Sequence, residues 1–69
     1  MLFISIFNNY HKENVIHRVS KEGGNIYSCE CGLEIPKNHL FHKVMIQAEA
    51  VSYKNNLIVC ECADLDNNN

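Results

Sequence analysis

Apolar residues in this chain come in short runs, cut by polar stretches that carry Asn and Gly. The first run, Leu2-Phe3-Ile4-Ser5-Ile6-Phe7, puts Phe3 and Phe7 on one strand face and Leu2, Ile4 and Ile6 on the other. A strand apolar on both faces is either central or covered by a partner. Residues 8–13 are a polar loop. Val15-Ile16-His17-Arg18-Val19 is rich in β-branched residues and forms the first arm of a hairpin. Lys21-Glu22-Gly23-Gly24-Asn25 is its turn, where glycine supplies positive φ without steric cost. Ile26-Tyr27-Ser28-Cys29 is the return arm. Gly32 and Pro36 mark a connector over 32–38.

Residues 39–54 are ambiguous. At helical period Leu40, Phe41, Val44, Met45, Ala48 and Val51 form one arc, with Asn38 as an N-cap. As a strand, Leu40, Val44, Ile46, Ala48 and Ala50 share a face that His42 interrupts. Leu57-Ile58-Val59-Cys60 is a strand, and residues 64–69 form a fraying, Asn-rich tail.

An internal echo favours the strand reading. Val19-Ser20, a turn, Asn25 and Cys29-Glu30-Cys31 are answered by Val51-Ser52, a turn, Asn56 and Cys60-Glu61-Cys62. The expected fold is a small β-rich, metal-stabilised domain over residues 1–63. It has an N-terminal strand and two related β-hairpins, residues 14–31 and about 43–62. The alternative is α+β, with a helix at about 39–54.

The chain has 69 residues, enough for one domain. One apolar core of that size rarely supplies more than about 3–5 kcal/mol, so a metal, a disulfide or a partner is expected. Six Lys+Arg against eight Asp+Glu give a net charge of −2 with no basic run, so nucleic acid is not the expected partner. The apolar N-terminus is too short to span a bilayer and lacks the basic flank of a signal peptide. A reducing, cytoplasmic location is expected, and there paired cysteines favour metal over disulfide.

All four cysteines lie in the two Cys-Glu-Cys segments. The expected site is one zinc per chain bound by Cys29, Cys31, Cys60 and Cys62. Neighbouring sulfurs around zinc lie about 3.7–3.8 Å apart. Residues i and i+2 of a flat strand are separated by about 6.5–7 Å, so the backbone must bend at each pair. Gly32 makes that bend cheap after Cys31; Ala63 supports the second bend less well. A structural zinc contributes roughly 10–16 kcal/mol of apparent binding energy, which appears as folding energy. Three alternatives stay open: buried reduced cysteines, a disulfide between the pairs, and a mixed site in which His39 and His42 join Cys29 and Cys31. Glu30 and Glu61 point away from such a metal and are either solvated or recognise a partner.

Cys29-Glu30-Cys31-Gly32-Leu33-Glu34-Ile35-Pro36-Lys37, followed by a second cysteine pair, resembles the opening of zinc-ribbon and treble-clef-like domains. Both pairs are one residue tighter than usual, and the helix that follows the second pair in treble clefs has no room, so the likeness is to a ribbon. It implies structural metal binding within a recognition module. The size and Asn content resemble small phage or viral accessory proteins, which implies a protein partner such as a host factor. No phosphate-binding loop, His-Glu-x-x-His segment or nucleophile elbow is present, and four thiolates close a zinc shell, so no enzymatic activity is expected. The expected function is a regulatory, inhibitor-type protein-interaction module. Leu2–Phe7 pairs across a homodimer or adds to a partner's sheet. A thiol-based redox switch and a nucleic-acid-binding zinc module are the alternatives.

Overall fold

The computed structural model describes residues 2–65. Strands β1 (Leu2–Asn8), β2 (Glu13–Glu22), β3 (Ile26–Cys29), β4 (Glu34–Pro36) and β5 (His42–Ile46) are followed by helix α1 (Gln47–Tyr53), strand β6 (Ile58–Val59) and a 3₁₀ turn at Glu61–Ala63. One six-stranded sheet runs β4-β3-β2-β1-β5, with β6 beside β2. Every pairing on the main path is antiparallel. Only β6 runs parallel to its neighbour, Val15 opposite Ile58 and Ile16 opposite Val59.

The β-rich expectation and the first hairpin hold. β2 and β3 pair across the 23–25 turn, which Gly23 N closes by donating to Ile26 O at 2.8 Å. The positive φ expected of Gly23 and Gly24 is not used there; among the glycines it falls on Gly32, at +93°. The second hairpin does not form. β5 pairs with β1 and β6 with β2, so its two arms never meet. The ambiguous stretch divides instead. His42–Ile46 is strand and Gln47–Tyr53 is helix. Val44, Met45 and Ile46 suit the pleated surface beside β1, whereas Gln47, Ala48, Glu49 and Ala50 carry high helix propensity. The echoed Val-Ser pair is therefore strand in one copy and helix in the other, so it does not dictate conformation. Asn56 N and Leu57 N both donate to Tyr53 O, at 2.9 and 3.1 Å, closing the helix rather than forming a hairpin turn.

β1 explains why two small cores suffice. It lies between β2 and β5, and its alternating side chains enter both. Phe3 packs with Ile16, Met45, Ala50, Ala63 and Leu65 beneath α1 and the 3₁₀ turn. Ile4 packs on the opposite face with Cys29 and Ile35, joined by Ile6, Val19, Tyr27 and Val44. β2 carries a register shift between Val19 and Lys21, which bends it. β3 and β4 then fold over the β1–β5 face, bringing the Tyr27 ring within 6.2 Å of His42 although β3 and β5 are not neighbours. Two expectations change as a result. Both edges of β1 are paired over Phe3–Ile6, so the homodimer pairing expected of Leu2–Phe7 has no free backbone along that stretch; the main path of the sheet ends at β4 and β5. Leu65, placed in the fraying tail, is buried in the first core; the rest of that tail, residues 66–69, lies outside the described residues.

Ile46 is the N-cap of α1, with extended backbone, no side-chain cap and 58% exposure. Ile46→Asp supplies an acceptor for the open amides of the first turn and is expected to stabilise the domain by about 0.5–1 kcal/mol. A raised urea or thermal midpoint checks this; an unchanged or lowered midpoint refutes it.

Candidate metal centre

β2 positions the site. Val15, His17 and Val19 share its inward face, and His17 is 8% exposed beside Ile4. The carbonyls on either side of His17 each hold one cysteine segment. Ile16 O accepts from Cys60 N at 2.9 Å, and Arg18 O accepts from Glu30 N at 3.0 Å. The Arg18 amide in turn donates to Cys62 Sγ at 3.4 Å, the kind of contact that disperses thiolate charge and fixes ligand orientation.

Both Cys-Glu-Cys segments bend as chelation requires, and they bend alike. Gly32 N donates to Cys29 O at 2.9 Å, and Ala63 N donates to Cys60 O at 2.9 Å. In the first turn the left-handed residue is Gly32. In the second it is Asp64, at φ 55°, one position later, so Ala63 needs no special φ. This is how the second pair turns without a glycine.

The turns bring Cys31, Cys60 and Cys62 together with His17, their ligand atoms all within 4.8 Å of one another. His17 Nδ1 lies 3.5 Å from Cys31 Sγ and 3.7 Å from Cys62 Sγ. Tetrahedral zinc with Zn–N of about 2.0–2.1 Å and Zn–S of about 2.3 Å sets N and S roughly 3.5–3.6 Å apart. The cluster is therefore able to hold one metal ion such as zinc. Three donors come from turns and one from a strand, and Cys31 is the exposed member.

Of the residues expected from sequence, Cys29 stays outside this set. It is the last residue of β3, still paired with Val19, so strand alternation turns it into the core with Ile4 and Ile35. His39 and His42 pack on each other at 6.2 Å, with His42 Nδ1 2.6 Å from His39 O, and they are not part of the cluster either. His17 is the candidate ligand that sequence reading missed. Its signal was a histidine in the core-facing register of a strand, flanked at i±2 by valines. All four cysteines are unpaired.

Burial pushes the Cys29 thiol up to about 11, with the neighbouring Cys31 and Cys60 adding to it. Burial likewise pushes Cys62 up to about 12, against the opposing pull of the Arg18 amide. His17 is held below its ordinary value by burial alone, which keeps it neutral and able to ligate. A metal ion must displace the thiol protons, so uptake releases acid and weakens as pH falls.

Among the described residues, no helix is long and apolar enough to cross a membrane. In comparisons with protein-family models, curated proteins and solved structures, nothing matches this chain.

Two predictions arise from this geometry. Alanine at His17, or serine at Cys31, Cys60 or Cys62, is expected to weaken zinc binding at least a hundredfold in a competition titration with a chromogenic chelator. Cys29→Ala is expected to keep a one-to-one stoichiometry while costing about 1–2 kcal/mol of stability from its core position. Loss of zinc on replacing Cys29, with retention on replacing His17, reverses the assignment. The second concerns the metal-free protein. His17 has a depressed folded value, so stability falls as pH drops below its ordinary 6.5. Cys29 has a raised one, so stability is lost as pH climbs from 9.0 towards about 11. Urea midpoints in chelator are expected to peak between these limits; a flat profile contradicts both shifts.

Proposed function

We propose that this chain is a small non-enzymatic zinc protein, with one ion held by His17, Cys31, Cys60 and Cys62. Its role is to present a surface to another protein, in the manner of a regulatory or inhibitory module. The observation that carries the reading is the convergence of donors from β2, the turn after β3 and the turn after β6 on one point. Four protein ligands leave zinc no open position for water or substrate, which favours a structural role over a catalytic one. The matched cysteine turns support the likeness to a zinc ribbon, with His17 in place of the fourth thiolate. A domain this small gains more folding energy from the ion than from either core.

Exposure of Cys31 supports a second reading as a thiol redox switch, since an oxidant reaches this ligand first. Native mass spectrometry of protein purified without added metal tests the main reading. One zinc per chain, with loss of the folded near-ultraviolet or NMR signature on chelation, is the expected result. A metal-free chain with the same fold overturns it. Stoichiometric zinc released by one equivalent of peroxide, with reversible unfolding, favours the switch.

A further inference from the structure

Cys31 is the one exposed cysteine, and it belongs to the metal cluster. Oxidation of a thiol follows its thiolate character and its access to solvent, so a metal-bound Cys31 is the sulfur an oxidant reaches first. Which sulfur can join it depends on how the two cysteine turns are anchored. Cys60 is pinned to β2 at its own amide, which donates to Ile16 O at 2.9 Å. Cys31 and Cys62 each lie beyond an anchor. Cys31 is one residue past the Glu30 amide, which donates to Arg18 O, and Cys62 is two residues past Cys60. These two therefore have more freedom to approach each other than either has to reach a pinned neighbour.

Distances support the same pair. Cys31 Sγ and Cys62 Sγ flank one atom, His17 Nδ1, at 3.5 and 3.7 Å. The donor atoms of the cluster all lie within 4.8 Å of one another, so an S–S bond of about 2.05 Å closes a gap of less than about 3 Å. The Arg18 amide, 3.4 Å from Cys62 Sγ, stabilises negative charge on that sulfur and keeps it ready to attack. Cys29 is a poor partner although it is close in sequence. It is 4% exposed and packs with Ile4 and Ile35, so drawing it out to Cys31 empties part of that core.

We propose that a hydroperoxide converts Cys31 and Cys62 to a disulfide, and that this bond replaces the ion as the tie between the two cysteine turns. The Cys31 thiolate attacks one oxygen of hydrogen peroxide; an S–O bond forms, the O–O bond breaks and hydroxide leaves. The Cys62 thiolate then attacks the sulfur of the Cys31 sulfenic acid; the S–S bond forms, the S–O bond breaks and a second hydroxide leaves. The two sulfurs give up two electrons in total, and peroxide takes both. Zinc is left with His17 and Cys60, half of a tetrahedral shell, and departs. The covalent tie spans the turns after β3 and β6 as the ion does, but it leaves out the imidazole on β2. This rests on the reading of the chain as a zinc protein and gives its redox alternative a defined product.

The test uses the full chain loaded with zinc, its metal content checked first by native mass spectrometry. One equivalent of hydrogen peroxide is added, zinc release is followed with a chromogenic chelator, remaining thiols are alkylated, and tandem mass spectrometry locates the linkage. The expected result is loss of the zinc together with one Cys31–Cys62 disulfide, Cys29 and Cys60 being alkylated. Dithiothreitol is expected to restore zinc binding. Cys29→Ala, which keeps all four ligands, is expected to lose zinc at an unchanged rate and form the same bond. Zinc loss with any other linkage, with a disulfide between chains, or with oxidised Cys31 and no disulfide overturns the proposal and leaves the zinc reading standing. Zinc retained in peroxide overturns the proposal and the switch together. A chain that takes up no zinc overturns the reading on which both rest.

Discussion

The two carbonyls flanking His17 organise the structure around them. Strand residues i and i+2 point their carbonyls the same way, so Ile16 and Arg18 offer paired acceptors on one edge of β2. One receives Cys60 and the other Glu30, at 2.9 and 3.0 Å. The two bonds park the thiol-bearing turns on either side of the imidazole. Without them Cys31 and Cys62, thirty-one positions apart in sequence, have no reason to share a neighbourhood. The same length of β2 also pairs with β1 and β6, so the strand that carries the ligand is the most heavily fixed element of the fold. Such backing suits a ligand, because rigid supports hold donor atoms to within the tolerance of a metal bond.

Economy of core follows from the same strand arrangement. Phe3 and Ile4 are adjacent in sequence, and each is almost fully buried, but in different clusters. A chain this short cannot enclose one large interior. It sandwiches a single strand between two thin ones and leaves the perimeter to other forces. The ion site lies at the edge of the second cluster, where Cys62 also packs. Metal binding and core packing are therefore not independent, and a variant in one will be felt in the other.

Much of this was legible in the chain and some was not. The doubly apolar face of residues 2–7 correctly implied a strand with neighbours on both sides. The glycine-marked hairpin and the need for the cysteine segments to bend were also readable. Residues 39–54 misled because strand and helix signals follow each other without a breaker, and only pairing with β1 separates them. The repeat misled in a different way: local identity at Val51-Ser52 carried less weight than the helix-forming Gln47–Ala50 before it. Cys29 and His17 exchanged roles for a reason no spacing rule contains. Whether a side chain at a strand end points to the metal or to the core depends on where the strand stops, and β3 stops at Cys29 rather than before it.

Burial of Cys29 has a consequence for assembly. Before the sheet forms, all four thiols are equally free, and zinc prefers thiolate to imidazole. For the zinc protein proposed above, an immature chain can therefore capture the ion in a four-sulfur knot that leaves His17 outside. Any affinity of the uncollapsed polymer for zinc subtracts from what the ion contributes to the finished domain. In the proposed zinc site, such a chain reaches the folded arrangement only when Cys29 lets go and packs inward with Ile4 and Ile35 while the imidazole takes its place.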